Sequence, residues 1–487
     1  MKKPAPLLTM AAALFALTGC MVGPNYKKPA AISAPAFKEA PPSGFTGQDG
    51  WKQGQPADAK LKGDWWTLFG DPQLSSLEAQ VDTANQTLKA AEANFSAART
   101  QIGYSRSFEA PTIGVEPSVG TVRESANQPY FNQSAANNGG GNFTLPVDLN
   151  YEIDLWGRIR RGVTAARAQA QASDADLESV RLSLHAELAM DYFGLRTADA
   201  QSRLLADTVK AYQQALQLTQ DRFDGGAAPQ SDVAQAKTQL DQARVQLTDI
   251  EVQRTQYEHA IAVLIGKPPA NLTLQAIPLN VQAPVLPKIP VALPAELLER
   301  RPDIAGDERR MASANEQIGI AQAAFYPTLS LSALAGFQGT SALNWFNWPS
   351  RFWAVGPTLS QTIFDAGRRR ATKNITEAQY DSTVANYRQT VLTAFQQVED
   401  NLAALRVLST EAQQQHEATA SAEQSLDLFQ TRYEGGVDTY LQVVTWQTAA
   451  LNNQRNDLDI MQRRLDASVL LIKALGGGWD TTQLPRM

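Results

Sequence analysis

Residues 142–155 read Asn-Phe-Thr-Leu-Pro-Val-Asp-Leu-Asn-Tyr-Glu-Ile-Asp-Leu, and their alternation decides the fold. Phe143, Leu145, Val147, Leu149, Tyr151, Ile153 and Leu155 share one parity, while Asn142, Thr144, Asp148, Asn150, Glu152 and Asp154 share the other. Successive side chains of a strand point to opposite faces, so this is a strand with one apolar and one polar side. Ile113, Val115 and Val119 alternate more weakly upstream. Far downstream, Leu329, Leu331, Ala333, Ala335 and Phe337 alternate with Thr328, Ser330, Ser332 and Gln338, and a second run extends from Phe352 to Phe364. The pattern predicts two long hairpins, 111–155 and 327–365, with four strands in all. Pro117, Pro146 and Pro357 interrupt the pattern, because proline removes a ladder donor.

The two hairpins lie in two copies of one unit. Gln101-Ile102-Gly103 followed by Pro111-Thr112 recurs 216 residues on as Gln317-Ile318-Gly319 followed by Pro327-Thr328. Gly157-Arg158, Leu195-Arg196, Arg222-Phe223-Asp224-Gly225-Gly226 and Gly266 recur 210 residues on at Gly367-Arg368, Leu405-Arg406, Arg432-Tyr433-Glu434-Gly435-Gly436 and Gly476. Only the stretch from Pro111 to Gly157 changes length, and it contains the loop-like run Asn137-Asn138-Gly139-Gly140-Gly141. A fixed internal offset of this kind marks a tandem duplication.

Around the hairpins the chain is Ala- and Gln-rich. From Gly157 to Arg222 it runs without a proline, which as one helix, or two stacked end to end, would reach about 100 Å at about 1.5 Å per residue. After the Gly225-Gly226 turn, Val233, Leu240, Leu247 and Ile261 keep a seven-residue beat, with Ala236, Ala243, Ile250, Tyr257 and Leu264 three places behind. The second copy carries the ladder Val437, Val444, Leu451, Leu458, Leu465, Ile472. Such heptads predict antiparallel helices in a left-handed supercoil.

An apolar face backed by Asn, Asp, Thr and Glu suits a membrane-spanning barrel. Four strands cannot close one, since about eight is the practical minimum, and open edges are not tolerated in lipid. Several chains must therefore contribute; two would give about eight strands and a filled bore, three about twelve and a wet lumen. The rival reading is a soluble antiparallel sheet with one buried face.

The chain has 487 residues, 43 Lys+Arg against 49 Asp+Glu, a net charge of -6, one Cys and three His. A mean hydropathy of -0.29 excludes a helical multispan membrane protein, and the acidic balance gives no footprint for nucleic acid. One Cys forms no internal disulfide. His185, His259 and His416 fall in helical stretches without partner motifs, which leaves them structural or surface residues, and Gly139–Gly141 lacks the Lys-Ser/Thr of a phosphate loop. Trp65-Trp66 offers a carbohydrate platform on paper; packing of the N-terminal arm is the plainer reading. No catalytic constellation or cofactor motif emerges.

At the N-terminus, Lys2 and Lys3 precede an apolar run from Leu7 to Leu17, and Leu17-Thr18-Gly19-Cys20 follows. The run is too short to span a bilayer and reads as an export signal. Cys20 stands where a bacterial lipoprotein carries its acyl chains; an ordinary secretory signal with an incidental Cys is the alternative. These features divide the chain into a lipoprotein signal at 1–19, an extended Pro- and Gly-rich arm at 20–70 and repeat one at 71–267. A Pro-rich connector at 268–298, repeat two at 299–477 and a tail at 478–487 complete it.

Cys20 with Val22-Gly23-Pro24-Asn25-Tyr26, Trp65-Trp66, Phe69, Asp71, Leu74, Leu77 and the duplicated hairpin form one part of a wider pattern. Arg301-Pro302-Asp303-Ile304, Ala314-Asn315, Ile318-Gly319 and Tyr326-Pro327 complete it. Together they resemble the outer-membrane efflux proteins of the TolC type, within them the OprM/NodT-like lipoprotein factors of RND efflux systems. The resemblance covers nearly the whole chain from Cys20 to about Gly477. It implies an α+β membrane protein: a homotrimer with a twelve-stranded outer-membrane β-barrel, four strands per chain, continued by a periplasmic α-helical coiled-coil barrel.

The implied partners are a periplasmic adaptor (membrane fusion protein) and an inner-membrane RND transporter, and the implied work is conduction of small molecules such as drugs rather than catalysis. The resemblance places adaptor docking at the tips Gly225, Gly226, Gly435 and Gly436, which also read as ordinary helix caps. The family's gate uses a leucine and an acidic residue one turn apart; Leu441 fits the first, but the acidic position falls on Thr445. Asp438 and Asp232 are candidates for an acidic aperture that favours cations, or residues that cap helix starts. The competing function is a periplasmic coiled-coil lipoprotein scaffold, which needs no two-faced strands.

Overall fold

A computed structural model describes residues 21–30, 37–39, 63–123, 125, 127, 140–279, 287, 289 and 300–478. Cys20, the signal segment and most of the 31–62 arm lie outside the described residues. A short 3-10 helix at Trp65–Phe69 leads into α1 (Pro72–Ala84), where the Asp71 carboxylate accepts from the Gln73 and Leu74 amides. Asn85 caps α2 (Gln86–Ser107) through the Leu88 amide and donates its own amide to the Leu264 carbonyl. Then come β1 (Thr112–Val115), β2 (Ser118–Val122), β3 (Gly140–Ile153), α3 (Arg158–Asp224) and α4 (Gln230–Leu264). The second copy supplies α5 (Pro302–Ala323), β4 (Thr328–Gly339), β5 (Arg351–Ser360), α6 (Arg368–Glu434) and α7 (Tyr440–Ala474).

The duplication is literal at the level of elements. The long helices α3 and α6 each run 67 residues, the return helices α4 and α7 each run 35, and α2 and α5 each run 22. Each long helix is therefore one unbroken element of about 100 Å. It packs against its own return helix, and α3 also packs on α5 and α7.

The strands form one antiparallel sheet with β3 and β4 central. Five strands appear among the described residues rather than the four read from sequence, because the first is split. Its register against β3 is continuous across the gap, Val115 opposite Val147 and Ser118 opposite Thr144. Glu116 and Pro117 therefore sit across from Pro146 and Leu145, and two prolines at one spot leave too few donors for a ladder. The β3–β4 ladder passes through Pro146 without a break, and Pro357 sits in β5, at the sheet's edge.

Register fixes the two faces. Val115, Val147, Ala335 and Trp353 align across the sheet, as do Ile113, Leu149, Ala333 and Val355. Between these two rows run Gly114, Asp148, Leu334 and Ala354; the same opposite face carries Asn150, Ser332 and Gly356 farther on toward the helices, and Thr144 with Gln338 toward the other end. On that polar face Ser332 Oγ donates to Asn150 Oδ1 at 3.3 Å, and Gln338 Nε2 donates to Asn142 Oδ1 at 3.0 Å. Among the described residues the apolar face has no protein partner: Trp353 is 74% exposed and Ile113 68%. Aromatic side chains gather at both strand ends. Phe143, Phe337, Trp345 and Phe346 pack together at the end away from the helices, and Trp156 stacks on Tyr326 at the other. Such girdles belong at the two surfaces of a bilayer.

The largest core lies where the 3-10 helix, α1, α3, α6 and α7 meet. Trp65 and Trp66 are buried there, so they form no exposed platform. The heptad ladder of the second copy is buried at Leu451, Leu458, Leu465 and Ile472, but Val437 is 69% exposed and precedes α7 altogether. It belongs to the turn, where no partner helix exists to receive it.

Candidate functional site

The ends of the helices farthest from the sheet carry the two glycine turns. Both are built alike. The Ala227 amide donates to the Arg222 carbonyl at 2.7 Å and the Gly226 amide to that of Phe223 at 2.9 Å; Val437 and Gly436 repeat this with Arg432 and Tyr433, both at 2.9 Å. This is a Schellman cap, which needs a left-handed residue after the helix. Gly226 and Gly436 supply it at φ +72° and +75°, while Gly225 and Gly435 stay right-handed.

The two turns touch. Arg222 Nη1 donates to the Glu434 carbonyl at 3.0 Å, and its guanidinium lies over the Tyr433 ring, 4.8 Å from the centroid. Tyr433 packs on Tyr440 at 5.2 Å, and both rings are buried with Ala236 and Val443. Leu441 is 55% exposed on the first turn of α7, and the exposed Thr445 donates its hydroxyl back to the Leu441 carbonyl at 2.9 Å. The two therefore share one helix face.

Neither aspartate caps a helix. Asp438 pairs with Arg432 across the turn, and Thr439 precedes α7 without a side-chain cap. Asp232 lies in the first turn of α4, where its charge complements the helix dipole. Asp438 is thus neutralised by an arginine that pairwise sequence spacing does not single out.

Higher up, buried acids are concentrated. Burial pushes the Asp466 carboxyl up to about 7, with Asp191 adding like-charge repulsion, and pushes Asp191 up to about 6, with Glu187 adding to it. Asp466 Oδ1 is buried with no hydrogen-bond partner among the described residues. Both groups hold their protons longer folded than at the ordinary 3.8, so their contribution to stability is full below that pH and lost as pH rises through about 6 to 7. Thermal unfolding followed by circular dichroism should show a midpoint that falls from about pH 5 to about pH 8, with Asp466→Asn removing on the order of 1 kcal/mol of that fall. A variant that tracks the wild type at every pH would refute this origin.

His185 is the structural kind of histidine, with partners on α1 that no local motif announces. It is 3% exposed, with Nδ1 2.7 Å from Glu78 Oε2 and Nε2 3.3 Å from Asp82 Oδ1, and its ring stacks on Trp66 at 4.4 Å. Burial pushes Glu78 up to about 7 against the opposing pull of His185. Glu78 and Asp82 are one turn apart on α1, so the cluster pins α1 to α3. His259 and His416 are exposed. Among the described residues no group of His, Cys, Asp and Glu could hold a metal ion, and no helix is long and apolar enough to cross a membrane.

At the junction of sheet and helices, residues 21–26 lie against the body. The Val22 amide donates to the Trp156 carbonyl at 3.1 Å, and Arg161 Nε donates to the Val22 carbonyl at 2.7 Å. The fully buried Arg161 also pairs with Glu316 at 2.6 Å.

The comparisons agree with this geometry. A family model described as outer membrane efflux protein matches residues 77–267 and 293–477. Outer membrane protein OprJ of Pseudomonas aeruginosa is 34% identical over 485 residues, covering 99% of this chain and 97% of OprJ. The toluene efflux pump outer membrane protein TtgC of Pseudomonas putida is 32% identical over 475 residues, covering 97% and 96%. Among solved structures, the outer-membrane channel OprN superposes with a TM-score of 0.82 at 26% identity, over 94% of this chain and 100% of that one. The open state of the Neisseria gonorrhoeae MtrE outer membrane channel gives 0.81 at 25%, over 94% and 98%.

Proposed function

This chain belongs to the outer membrane efflux protein family, and from that premise we propose that three copies join their sheets edge to edge into one barrel whose lumen continues through a ring of the long helices. The protein is an efflux channel of the outer membrane with a periplasmic helical extension. The observation that carries the assembly is the sheet: apolar on one face, polar on the other, and open at both β1/β2 and β5. A scaffold without a channel has no use for that combination, and lipid forbids the edges to stay open.

The finer reading divides the chain into repeats at 71–267 and 299–477 and makes Cys20 the acylated first residue. The partners are a periplasmic adaptor meeting the tips at Gly225, Gly226, Gly435 and Gly436, and an inner-membrane RND transporter. The cargo is small organic molecules, a class that includes the toluene named for the TtgC relative. Light scattering of the unheated, detergent-solubilised protein, corrected for detergent, tests the assembly. A mass near three times that of the processed chain, with rare openings in planar bilayers, supports it; a monomer that never inserts sinks it.

The gate forms where the tips converge, with Leu441 and Thr445 on one face of α7 and Asp232 and Asp438 at the helix starts. Arg222 holds the α3 tip to the α6 tip by a charge-assisted hydrogen bond and a cation–π contact, both near the surface. Together these contribute about 1–2 kcal/mol to the closed state. Arg222→Ala should therefore raise the open probability in bilayers roughly 5- to 30-fold with the trimer intact. An unchanged open probability would show that opening leaves this contact in place.

A further inference from the structure

The segment after Cys20 is gripped by both repeats. Besides the bonds to Trp156 and Arg161, the Pro24 carbonyl accepts from Arg161 Nη1 and from Asn315 Nδ2, each at 3.2 Å, and the Tyr26 hydroxyl donates to Glu308 Oε1 at 2.6 Å. Gly23 lies so close to α5 that a Cβ there would stand 2.6 Å from the Gly319 Cα. Trp156 and Arg161 come from the first copy; Glu308, Asn315 and Gly319 come from the second. We infer that the crevice between α3 and α5 is a recognition seat for the chain's own residues 21–26, and that this seat fixes where the lipid-bearing residue meets the membrane. The inference rests on the reading of Cys20 as acylated.

Two further observations support it. The first is asymmetry between copies. At the 210-residue offset, Trp156 and Arg161 become Ala366 and Ala371; at the 216-residue offset, Asn315 and Glu316 correspond to Arg99 and Thr100. The seat forms where α3 of the first copy meets α5 of the second, and the counterpart positions on α6 and α2 lack its residues, so each chain takes up one strap at one place. The second is position. Trp156 lies three residues past the strand end at Ile153, and its ring stacks on Tyr326 in the aromatic band there. Cys20 is one residue, about 3.8 Å of chain, from the seated Met21. The acyl chains therefore enter the leaflet beside β3 and β4 of their own protomer.

Hydrogen–deuterium exchange on the solubilised full-length protein tests the seat, with intact mass spectrometry of the same sample reading acylation separately. In the wild type the 21–26 peptide is expected to exchange slowly. Gly23→Ala, which changes the strap and leaves α3 and α5 untouched, should speed its exchange at least tenfold while peptides of α3 and α5 keep their protection. Tyr26→Phe, losing one bond, should give a smaller increase. Wild-type exchange at the rate of a free chain, or a Gly23→Ala variant still protected, would overturn the seat whatever the mass shows. A protected segment on a chain without acyl mass would instead sink the Cys20 reading and leave the seat standing.

Discussion

Ala333→Arg is expected to abolish accumulation of the trimer in the outer membrane, while Ser332→Arg, one residue away, leaves it in place. Ala333 sits halfway along β4, with Leu149 opposite on one side and Val355 on the other. Its side faces lipid in the assembled barrel. An arginine near the bilayer midplane costs about 2–4 kcal/mol, and a trimer would carry three in one ring, so the total reaches about 6–12 kcal/mol. That rivals the whole stability of a typical fold. Ser332 points to the polar face beside Asn150 and Gly356, where water can solvate the guanidinium. Fractionated outer membranes, run without boiling on detergent gels, give the answer. Loss of Ser332→Arg with Ala333→Arg intact would mean that the faces have been assigned the wrong way round, and equal levels would mean that neither residue faces lipid.

The second large effect concerns Gly476, just past α7. Its φ is +92°, and a Cβ there would stand 2.0 Å from the Arg300 carbonyl oxygen and 2.8 Å from its carbon. Both neighbours are backbone, which cannot swing aside. The left-handed conformation alone costs a non-glycine residue about 1–2 kcal/mol, and the clash forces the Arg300–Arg301 backbone at the start of α5 away from α7. Gly476→Ala is expected to destabilise by about 4 kcal/mol, at the severe end of single substitutions, and so to lower the unfolding midpoint of a chain this long by about 4 °C. Gly225→Ala provides the contrast: that residue is right-handed at φ -79°, and its exchange for alanine should be nearly neutral. Should Gly476→Ala melt with the wild type, the Arg300 backbone must yield at this point without cost.

Much of this architecture was legible in the chain because its signals are periodic and repeat. Alternation from Phe143 to Leu155 marks a two-faced strand, a proline-free run marks the long helix, and the 210-residue offset says both occur twice. What escaped depends on meetings between distant residues. The split of the first strand needs Pro117 and Pro146 to face each other, which requires the register. His185 finds Glu78 at a separation of 107 residues, and Arg222 reaches Glu434 at 212. Asp438 looked like a cap because it stands two residues before a helix, but Arg432 claims it. The grip on Pro24 comes from Asn315, 291 residues away, and no local pattern announces it.

The equal helix lengths in the two copies turn residue number into a ruler. Since α3 and α6 each rise 67 residues from the sheet with no break, the reach from outer membrane to tip is a fixed length rather than a negotiated one. Arg222 and Glu434 meet only because both copies stop on the same level. Deleting one heptad from a single copy would stagger the tips by about 10.5 Å, and deleting it from both would shorten the whole duct by that amount with the tips still level. Any change in the gap that a pump must bridge is therefore written twice into this chain, or it is not accommodated at all.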